Sequence, residues 1–407
     1  MTIELNMIQS IGLAVIFLLV GKSIKNNFPI FSKYAIPSPV IGGLMFSIIH
    51  MFLRYSNIVL FEFDTTLQTF FQTMFFCTVG FNASFKMLKI GGRKILIFLL
   101  ISVVFAFLQN ILAVGLANLV GISPFLALLT ASPALTGGHG TSAAVAPSIE
   151  ALGYPEALTV ALTAATFGII AGSLLGGPMA NRLIIKNNLV NKKINEQSND
   201  TDFDLSIIKN KKTTLNTNKI SMAFFQILIA MALGTYLTDA LNNFVGKWFS
   251  GVNFPIYIGA MLVAAILRNI SDNSNIFKTP LEEIEVVGEV SLSLFLGMAL
   301  ITLKLWHLVD LALPMLILLI AQCIMMYLYG MFISYPLMGK NYDSAVMVAG
   351  LTGFAMGSTS NAMANMHSVT DKYLYSKTAF FIVPIVGSLF IDFINIGIIY
   401  GFISFLS

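Results

Sequence analysis

Ten apolar runs able to cross a bilayer are the feature that most constrains how this chain folds. A hydrocarbon core about 30 Å thick requires roughly 20 helical residues. Only 10% of the 407 residues are charged and 57% are hydrophobic, whereas soluble domains carry about 25% charged residues. The sequence therefore predicts an all-α polytopic membrane protein. The predicted spans are 7–23, 36–53, 67–85, 95–120, 157–185, 220–241, 253–267, 284–303, 306–335 and 377–406.

The first run is read as a retained helix, because no small-residue cleavage site follows it. A nucleic-acid partner is not expected, since the net charge is only +4 and the chain lacks a basic exposed domain. Lipids are the expected surroundings of the apolar runs.

A single carboxylate interrupts the last apolar run. Asp392 lies midway between Thr378 and Leu406, and a charge at that depth costs at least about 2.5–3.5 kcal/mol on insertion scales. Asn395 follows three residues later, so the two side chains share one helix face. Buried oxygen-rich faces in membranes usually mark an ion or substrate path, and we predict a cation site here. Asp392 would either bind a metal ion such as Na⁺ or pair with an ammonium group of the cargo. Asn82, in the third run, is a further candidate ligand, although a hydrogen bond to a neighbouring helix explains it equally well.

The chain contains two similar halves. Pro39 and Gly43 recur as Pro255 and Gly259, and Thr136-Gly137 recurs as Thr352-Gly353, both at an offset of 216 residues. A lysine- and asparagine-rich stretch separates the halves and reads as a solvated linker. We predict an N-terminal repeat at 1–186, a linker at 187–219 and a C-terminal repeat at 220–407.

Five spans per half require the two repeats to have opposite orientations. With both termini outside, 20 of the 23 lysine and arginine residues face the cytoplasm, and only Arg54, Lys247 and Lys304 lie outside. This distribution satisfies the positive-inside rule and places the linker in the cytoplasm. Inverted repeats are typical of secondary transporters, whose substrate site lies near the midplane between the repeats.

Each half carries a glycine-rich segment that is too interrupted to cross as one helix. These segments, 123–150 and 343–370, lie between the fourth and fifth spans. The apolar arm 124–135 would be about 18 Å long as a helix, roughly half a membrane. We therefore predict two re-entrant hairpins that enter from opposite sides and place their tips at the midplane.

The hairpin tips are the candidate substrate site. Helix N-termini at such tips present free N–H groups that suit anions, and glycine permits close backbone approach. Close helix packing alone is the competing explanation of the small residues. A proton carrier, a substrate contact and a structural hydrogen bond are all open for the histidine. The candidate residues are Thr136, Gly137, Gly138, His139, Gly140, Thr141 and Ser142 in the first tip, and Gly357, Ser358, Thr359, Ser360 and Asn361 in the second.

Five stretches resemble the bacterial sodium/glutamate symporter family. They are Thr136–Ser142, Val290–Leu296, Leu303–Trp306, Met338–Asp343 and Ala362–Met366. The resemblance covers nearly the whole chain outside the linker. It implies a location in the bacterial inner membrane, glutamate uptake coupled to Na⁺, a homodimer, and an elevator-like motion of hairpin-bearing domains against scaffold helices. It also implies that both glycine-rich tips and the segment from Asp392 to Asn395 bind cargo.

Other functions remain as alternatives. The nearest is transport of a different small carboxylate, a dicarboxylate or hydroxycarboxylate, coupled to Na⁺ or H⁺. An intramembrane enzyme is disfavoured, since the sequence has no His-Glu-x-x-His motif and Asp392 has no second membrane carboxylate for a catalytic pair. A passive channel is disfavoured because no ring of like charges is evident.

Overall fold

The computed structural model describes residues 2–33, 36–86, 92–196, 217–245, 254–274, 277–308 and 311–407. Within them two short strands, β1 (Thr2–Leu5) and β2 (Leu60–Phe63), pair in parallel, an addition to the predicted all-helical fold. The helices are α1 (Met7–Asn27), α2 (Pro29–Lys33), α3 (Ser38–Tyr55), α4 (Thr66–Asn82), α5 (Gly92–Val120), α6 (Pro124–Leu128), α7 (Ser132–Leu135), α8 (Gly138–Glu150), α9 (Ala157–Lys186), α10 (Leu189–Glu196), α11 (Thr217–Val245), α12 (Ile256–Asn273), α13 (Leu281–Ile301), α14 (Ala312–Tyr329), α15 (Tyr335–Leu337), α16 (Tyr342–Ala355), α17 (Thr359–Thr370), α18 (Lys377–Ile385) and α19 (Ile391–Leu406).

Seven helical spans within the described residues are long and apolar enough to cross a membrane, and the bent pair α18–α19 makes an eighth when counted as one span. The chain is therefore a multi-pass membrane protein. Of the ten predicted spans, 67–85 and 253–267 become α4 and α12, which do not meet these criteria. Helix α4 is 17 residues long, and α12 carries Arg268 and Asp272 near its C-terminal end.

The last predicted span is broken rather than continuous. Helices α18 and α19 meet at an angle of 42°, with a π-helical turn at Val386–Phe390 between them. The bend lies at the π-helical turn, because such a turn interrupts the regular hydrogen-bond ladder of the α-helix. The break places Asp392 in the first turn of α19 instead of the middle of a straight helix.

Two helix pairs, α1 with α3 and α11 with α12, each cross at a glycine. Helices α1 and α3 cross at Gly42, where a Cβ would lie 1.8 Å from the Phe17 carbonyl oxygen. Helices α11 and α12 cross at Gly259, where a Cβ would lie 2.1 Å from the carbonyl oxygen of Gly234. Gly259 is the repeated counterpart of Gly43, whereas the crossing of α1 and α3 lies at the adjacent Gly42. Helix α13 then packs on α3, and α4 packs on α12.

The helices form two groups. The scaffold group contains α1, α3, α4, α11, α12 and α13, and buries clusters around Phe46 and Phe81. The hairpin group contains α5 to α9, α14 and α16 to α19, and one of its cores surrounds Phe354. Packing is dense within each group and sparser between them.

Helix α10 begins the predicted linker, whose residues 197–216 lie outside the described part of the chain. Its Lys193 Nζ lies 2.5 Å from Asp343 Oδ1 at the start of α16. The same carboxylate oxygen accepts a hydrogen bond from Ser376 Oγ at 2.6 Å. The beginning of the predicted linker is thus attached to the start of α16.

Candidate functional site

The two glycine-rich tips are in direct contact. Gly138 has a φ of +64°, and a Cβ built on it would lie 2.9 Å from the carbonyl oxygen of Gly357. A left-handed backbone conformation combined with this close approach requires glycine. The first tip joins α7 to α8, and the second joins α16 to α17. Segments separated by more than 200 residues therefore build one site.

A cavity of about 250 Å³ lies at this meeting point. The tips form one side, and Gly387 and Asp392 of the last span add to it. The predicted residues that line it are Thr136, Gly137, Gly138, His139, Gly140, Thr141, Gly357, Ser358, Thr359, Ser360 and Asp392.

Two helices begin at the cavity. Helix α8 starts at Gly138 after an N-cap at Gly137 that makes no side-chain capping bond, and α17 starts at Thr359. Ser358 caps α17 by accepting a hydrogen bond from the Asn361 N–H at 3.3 Å. The first N–H groups of a helix lack intrahelical partners and carry the positive end of its dipole. The cavity thus suits an anion with two separated negative groups.

His139 has a defined hydrogen bond in the wall of the cavity. Its Nε2 lies 3.0 Å from Thr166 Oγ1, and Thr166 donates its own hydrogen to the Leu162 carbonyl oxygen at 2.9 Å. Nε2 therefore carries the hydrogen and donates to Thr166, which leaves Nδ1 as the acceptor of the neutral ring. This bond is a structural hydrogen bond, which is one of the three roles that the sequence left open for His139.

Four predicted residues do not line the cavity. Ser142 Oγ donates to the Pro133 carbonyl oxygen at 3.3 Å, and Asn361 Nδ2 donates to that of Ile169 at 2.8 Å. Asn395 is fully buried and its Nδ2 donates to the Ser132 carbonyl oxygen at 3.1 Å. Asn82 ends α4, three residues beyond Val79 of the cavity wall.

The comparisons with known proteins bear on this arrangement. The family model described as "Sodium/glutamate symporter" matches residues 3–375. The chain belongs to that family. Proteins named sodium/glutamate symporter from Escherichia coli (strain K12) and Shigella flexneri are each 36% identical over 395 residues, which is 96% of this chain and of each relative. The Haemophilus influenzae protein of the same name is 34% identical over 394 residues, covering 96% of this chain and 95% of the relative. These relatives are named as transporters, in agreement with the transporter class inferred from the sequence.

The symporter-family match ends before the last span, but the relatives extend the similarity across 96% of the chain. Asp392 lies beyond the residues that the family model matches, and the structure places it in the lining of the cavity, on the bent last span. Thr359 Oγ1 ties the second tip to this span by donating to the Gly387 carbonyl oxygen at 3.0 Å.

Sequence reasoning missed the residue that joins the two tips. Gln109 Oε1 accepts a hydrogen bond from Thr136 Oγ1 at 2.6 Å, and its Nε2 donates to the Ala355 carbonyl oxygen at 2.9 Å. Gln322 Nε2 in turn donates to the Gln109 carbonyl oxygen at 2.8 Å. The available signal was a Gln-Asn pair inside the 29-residue apolar helix α5, where polar side chains need buried partners.

The scaffold group supplies an apolar wall. Phe75 and Phe76 from α4, and Leu292 and Leu296 from α13, face the tips across the cavity. A Cβ on Gly140 would lie 3.1 Å from the Phe75 ring and 3.4 Å from the Leu292 side chain. The site therefore has one polar side, from the hairpin group, and one apolar side, from the scaffold group.

Proposed function

We propose that this protein transports glutamate into the cell together with Na⁺. The observation that carries the proposal is the convergence of both glycine-rich tips and Asp392 on one cavity. The names of its relatives support both cargoes, since each is called a sodium/glutamate symporter. Nothing about the cavity requires covalent chemistry, and positioning is sufficient for transport.

The substrate carboxylates are assigned to the two helix N-termini. Glutamate carries two carboxylates, and the N-terminal N–H groups of α8 and of α17 form two sets of hydrogen-bond donors, one for each carboxylate. The hydroxyl groups of Thr136, Thr141 and Thr359 supply further short polar contacts. Glycine at the tips lets the backbone approach the substrate closely.

The Na⁺ site is assigned to the last span. Asp392 supplies a carboxylate at the cavity, and oxygen ligands suit hard cations. Asn395 contributes by its Oδ1, which has no hydrogen-bond partner among the described residues. Asn82 remains a predicted ligand from the scaffold group. Pairing of Asp392 with the substrate ammonium is the alternative role.

The proposed transport cycle is an elevator motion. In it, two inverted repeats place 123–150 and 343–370 as re-entrant hairpins, and α4 and α12 complete the ten spans. The hairpin group carries the cargo past the scaffold group, and the smooth wall of Phe75, Phe76, Leu292 and Leu296 suits sliding. A homodimer would hold the scaffold fixed in the membrane. Glycine crossings at Gly42 and Gly259, which lie within one residue of the repeat offset, support the repeat.

Reconstituted protein tests the proposal directly. Labelled glutamate should accumulate in proteoliposomes under an inward Na⁺ gradient, and uptake that ignores removal of that gradient rejects Na⁺ coupling. One Na⁺ per glutamate would be electroneutral, so acceleration by an inside-negative potential requires at least two, each charge being worth about 2.3 kcal/mol per 100 mV. Asp392→Asn should raise the Na⁺ concentration needed for half-maximal uptake, and an unchanged Na⁺ dependence rules out the assigned role.

A second cargo is favoured by one feature of the cavity. Backbone N–H groups at two helix ends recognise carboxylates without reading the carbon chain between them. A dicarboxylate or hydroxycarboxylate, moved with Na⁺ or H⁺, would satisfy them too. Competition of glutamate uptake by malate, citrate and aspartate separates the two, since stronger inhibition by malate or citrate than by unlabelled glutamate would favour this alternative.

A further inference from the structure

A second and larger cavity, of about 890 Å³, adjoins the tip cavity along the same helices. Helix α8 lines the tip cavity with Gly138 to Thr141 and the larger cavity with Ala144, Pro147 and Ser148. Helix α4 likewise contributes Phe75 and Phe76 to the first and Gln72 and Thr73 to the second. We name the larger one the outer cavity, because Arg54 and Lys304 line it and the charge distribution predicts both outside.

A partition one helical turn thick separates the two cavities. Gln72 Nε2 of α4 donates to the Ala144 carbonyl oxygen of α8 at 3.5 Å. Phe76 of the tip cavity stacks on Tyr257 of the outer cavity, with ring centroids 4.6 Å apart. A solute in the outer cavity would thus touch different groups from one at the tips, and would meet them first.

Cationic groups are held at one wall of the outer cavity. The Arg54 guanidinium lies 3.9 Å from the Trp306 ring centroid, and the His50 and Trp306 ring centroids are 5.8 Å apart. Stacking on an aromatic face orients a guanidinium and leaves its N–H edge available for a carboxylate. Lys304 adds a second positive charge to the lining, and Glu62 and Glu150 add negative charges.

Two buried atoms in the lining have no hydrogen-bond partner among the described residues. His50, only 4% exposed, accepts the Phe61 N–H at Nε2 at 3.1 Å, so its neutral ring carries the hydrogen on Nδ1, and Nδ1 is unpartnered. Gln68, 7% exposed, has an unpartnered Oε1. Buried polar groups without partners are rare and mark a place where a ligand or water completes the bonding. His50 Nδ1–H is a donor and Gln68 Oε1 is an acceptor.

We propose that the outer cavity is a capture site for a zwitterionic amino dicarboxylate, occupied before the substrate reaches the tips. Arg54, Lys304 and the His50 Nδ1–H group bind the carboxylates, and Gln68 Oε1 with the acidic side chains binds the ammonium. The proposal rests on the proposed function for the identity of the solute. It assigns the first binding step to the outer cavity and the second to the tips, so that both sites contribute to the KM.

Steady-state uptake of labelled L-glutamate tests the capture site in proteoliposomes. Arg54→Gln should raise the KM about tenfold, the effect of losing one charge-assisted hydrogen bond, and leave the maximal rate within about twofold. Arg54→Lys should recover part of the loss. Lys278→Gln, an exposed lysine outside both cavities, is the matched control and should keep the wild-type KM. Raising ionic strength with choline chloride at fixed Na⁺ should raise the KM of the wild type more than that of Arg54→Gln.

A binding measurement separates the two cavities. The chain has 2 tryptophans, so Trp248→Phe leaves Trp306 as a reporter beside Arg54. Glutamate should change its fluorescence saturably, and the change should persist in Asp392→Asn and shift to higher concentration in His50→Gln. Loss of the signal in Asp392→Asn, or wild-type KM values for both Arg54→Gln and Lys304→Gln, overturns the capture site. If the wild type shows no Na⁺-dependent uptake, the proposed function fails, while the fluorescence titration still decides the outer site.

Discussion

Replacing Gly138 by alanine tests whether contact between the tips creates the substrate site. An alanine at a φ of +64° costs about 1–2 kcal/mol in backbone strain. Its Cβ would also lie 2.9 Å from the Gly357 carbonyl oxygen, a backbone atom that moves only if the second tip moves. If the free energy of substrate binding becomes less favourable by about 2 kcal/mol, the KM for glutamate rises roughly 30-fold. Uptake by proteoliposomes measures this change.

The matched control is Gly121→Ala. Gly121 has a φ of +75° and no heavy atom within 4 Å of a built Cβ, so it carries the same kind of strain without the contact. It follows α5, away from the cavity. We expect Gly121→Ala to lower the unfolding temperature and to leave the KM unchanged. A wild-type KM in Gly138→Ala, or equal KM changes in both variants, refutes the reasoning.

Three further predictions concern the supports of the site. Gln109→Leu should raise the KM and destabilise the protein by about 1–3 kcal/mol, because Thr136 Oγ1 and the Ala355 carbonyl oxygen lose their short bonds to Gln109 and keep only the 3.4 Å bond to each other. Unchanged thermal unfolding and uptake would contradict this. Gly176→Ala should lower the unfolding temperature, because its Cβ would lie 2.1 Å from Asn365 Nδ2, whereas Gly115→Ala, with open space around it, should be neutral or stabilising by up to about 1 kcal/mol. Lys193→Gln should cost at most about 1 kcal/mol, as the pair with Asp343 is partly exposed, and high salt should abolish the difference in unfolding temperature.

The membrane class could be read from the sequence because bilayer thickness imposes long apolar helices. Candidate residues at the two tips were identifiable because glycine, serine and threonine interrupt apolar arms at matching positions, and all but two of them line the cavity. The exceptions, Ser142 and Asn361, point their side chains at backbone carbonyls, and residue type alone does not give that direction.

Contacts between residues that are far apart in the sequence could be identified only from the tertiary structure. Asp392 and Asn395 share a helix face by spacing, yet only Asp392 lines the cavity, because Asn395 lies almost one turn further along α19 and its Nδ2 donates to the Ser132 carbonyl oxygen. Gln109 looked like an ordinary polar residue until its two partners, 27 and 246 positions away, were placed beside it.

The sequence by itself determined that the chain crosses the bilayer and where its apolar arms break, since burial in hydrocarbon and glycine or proline geometry act locally. The tertiary structure alone decided which breaks meet, because contact between Gly138 and Gly357 depends on how helices pack across the whole chain. Packing of this kind is a cooperative property of many side chains, and no local pattern encodes it.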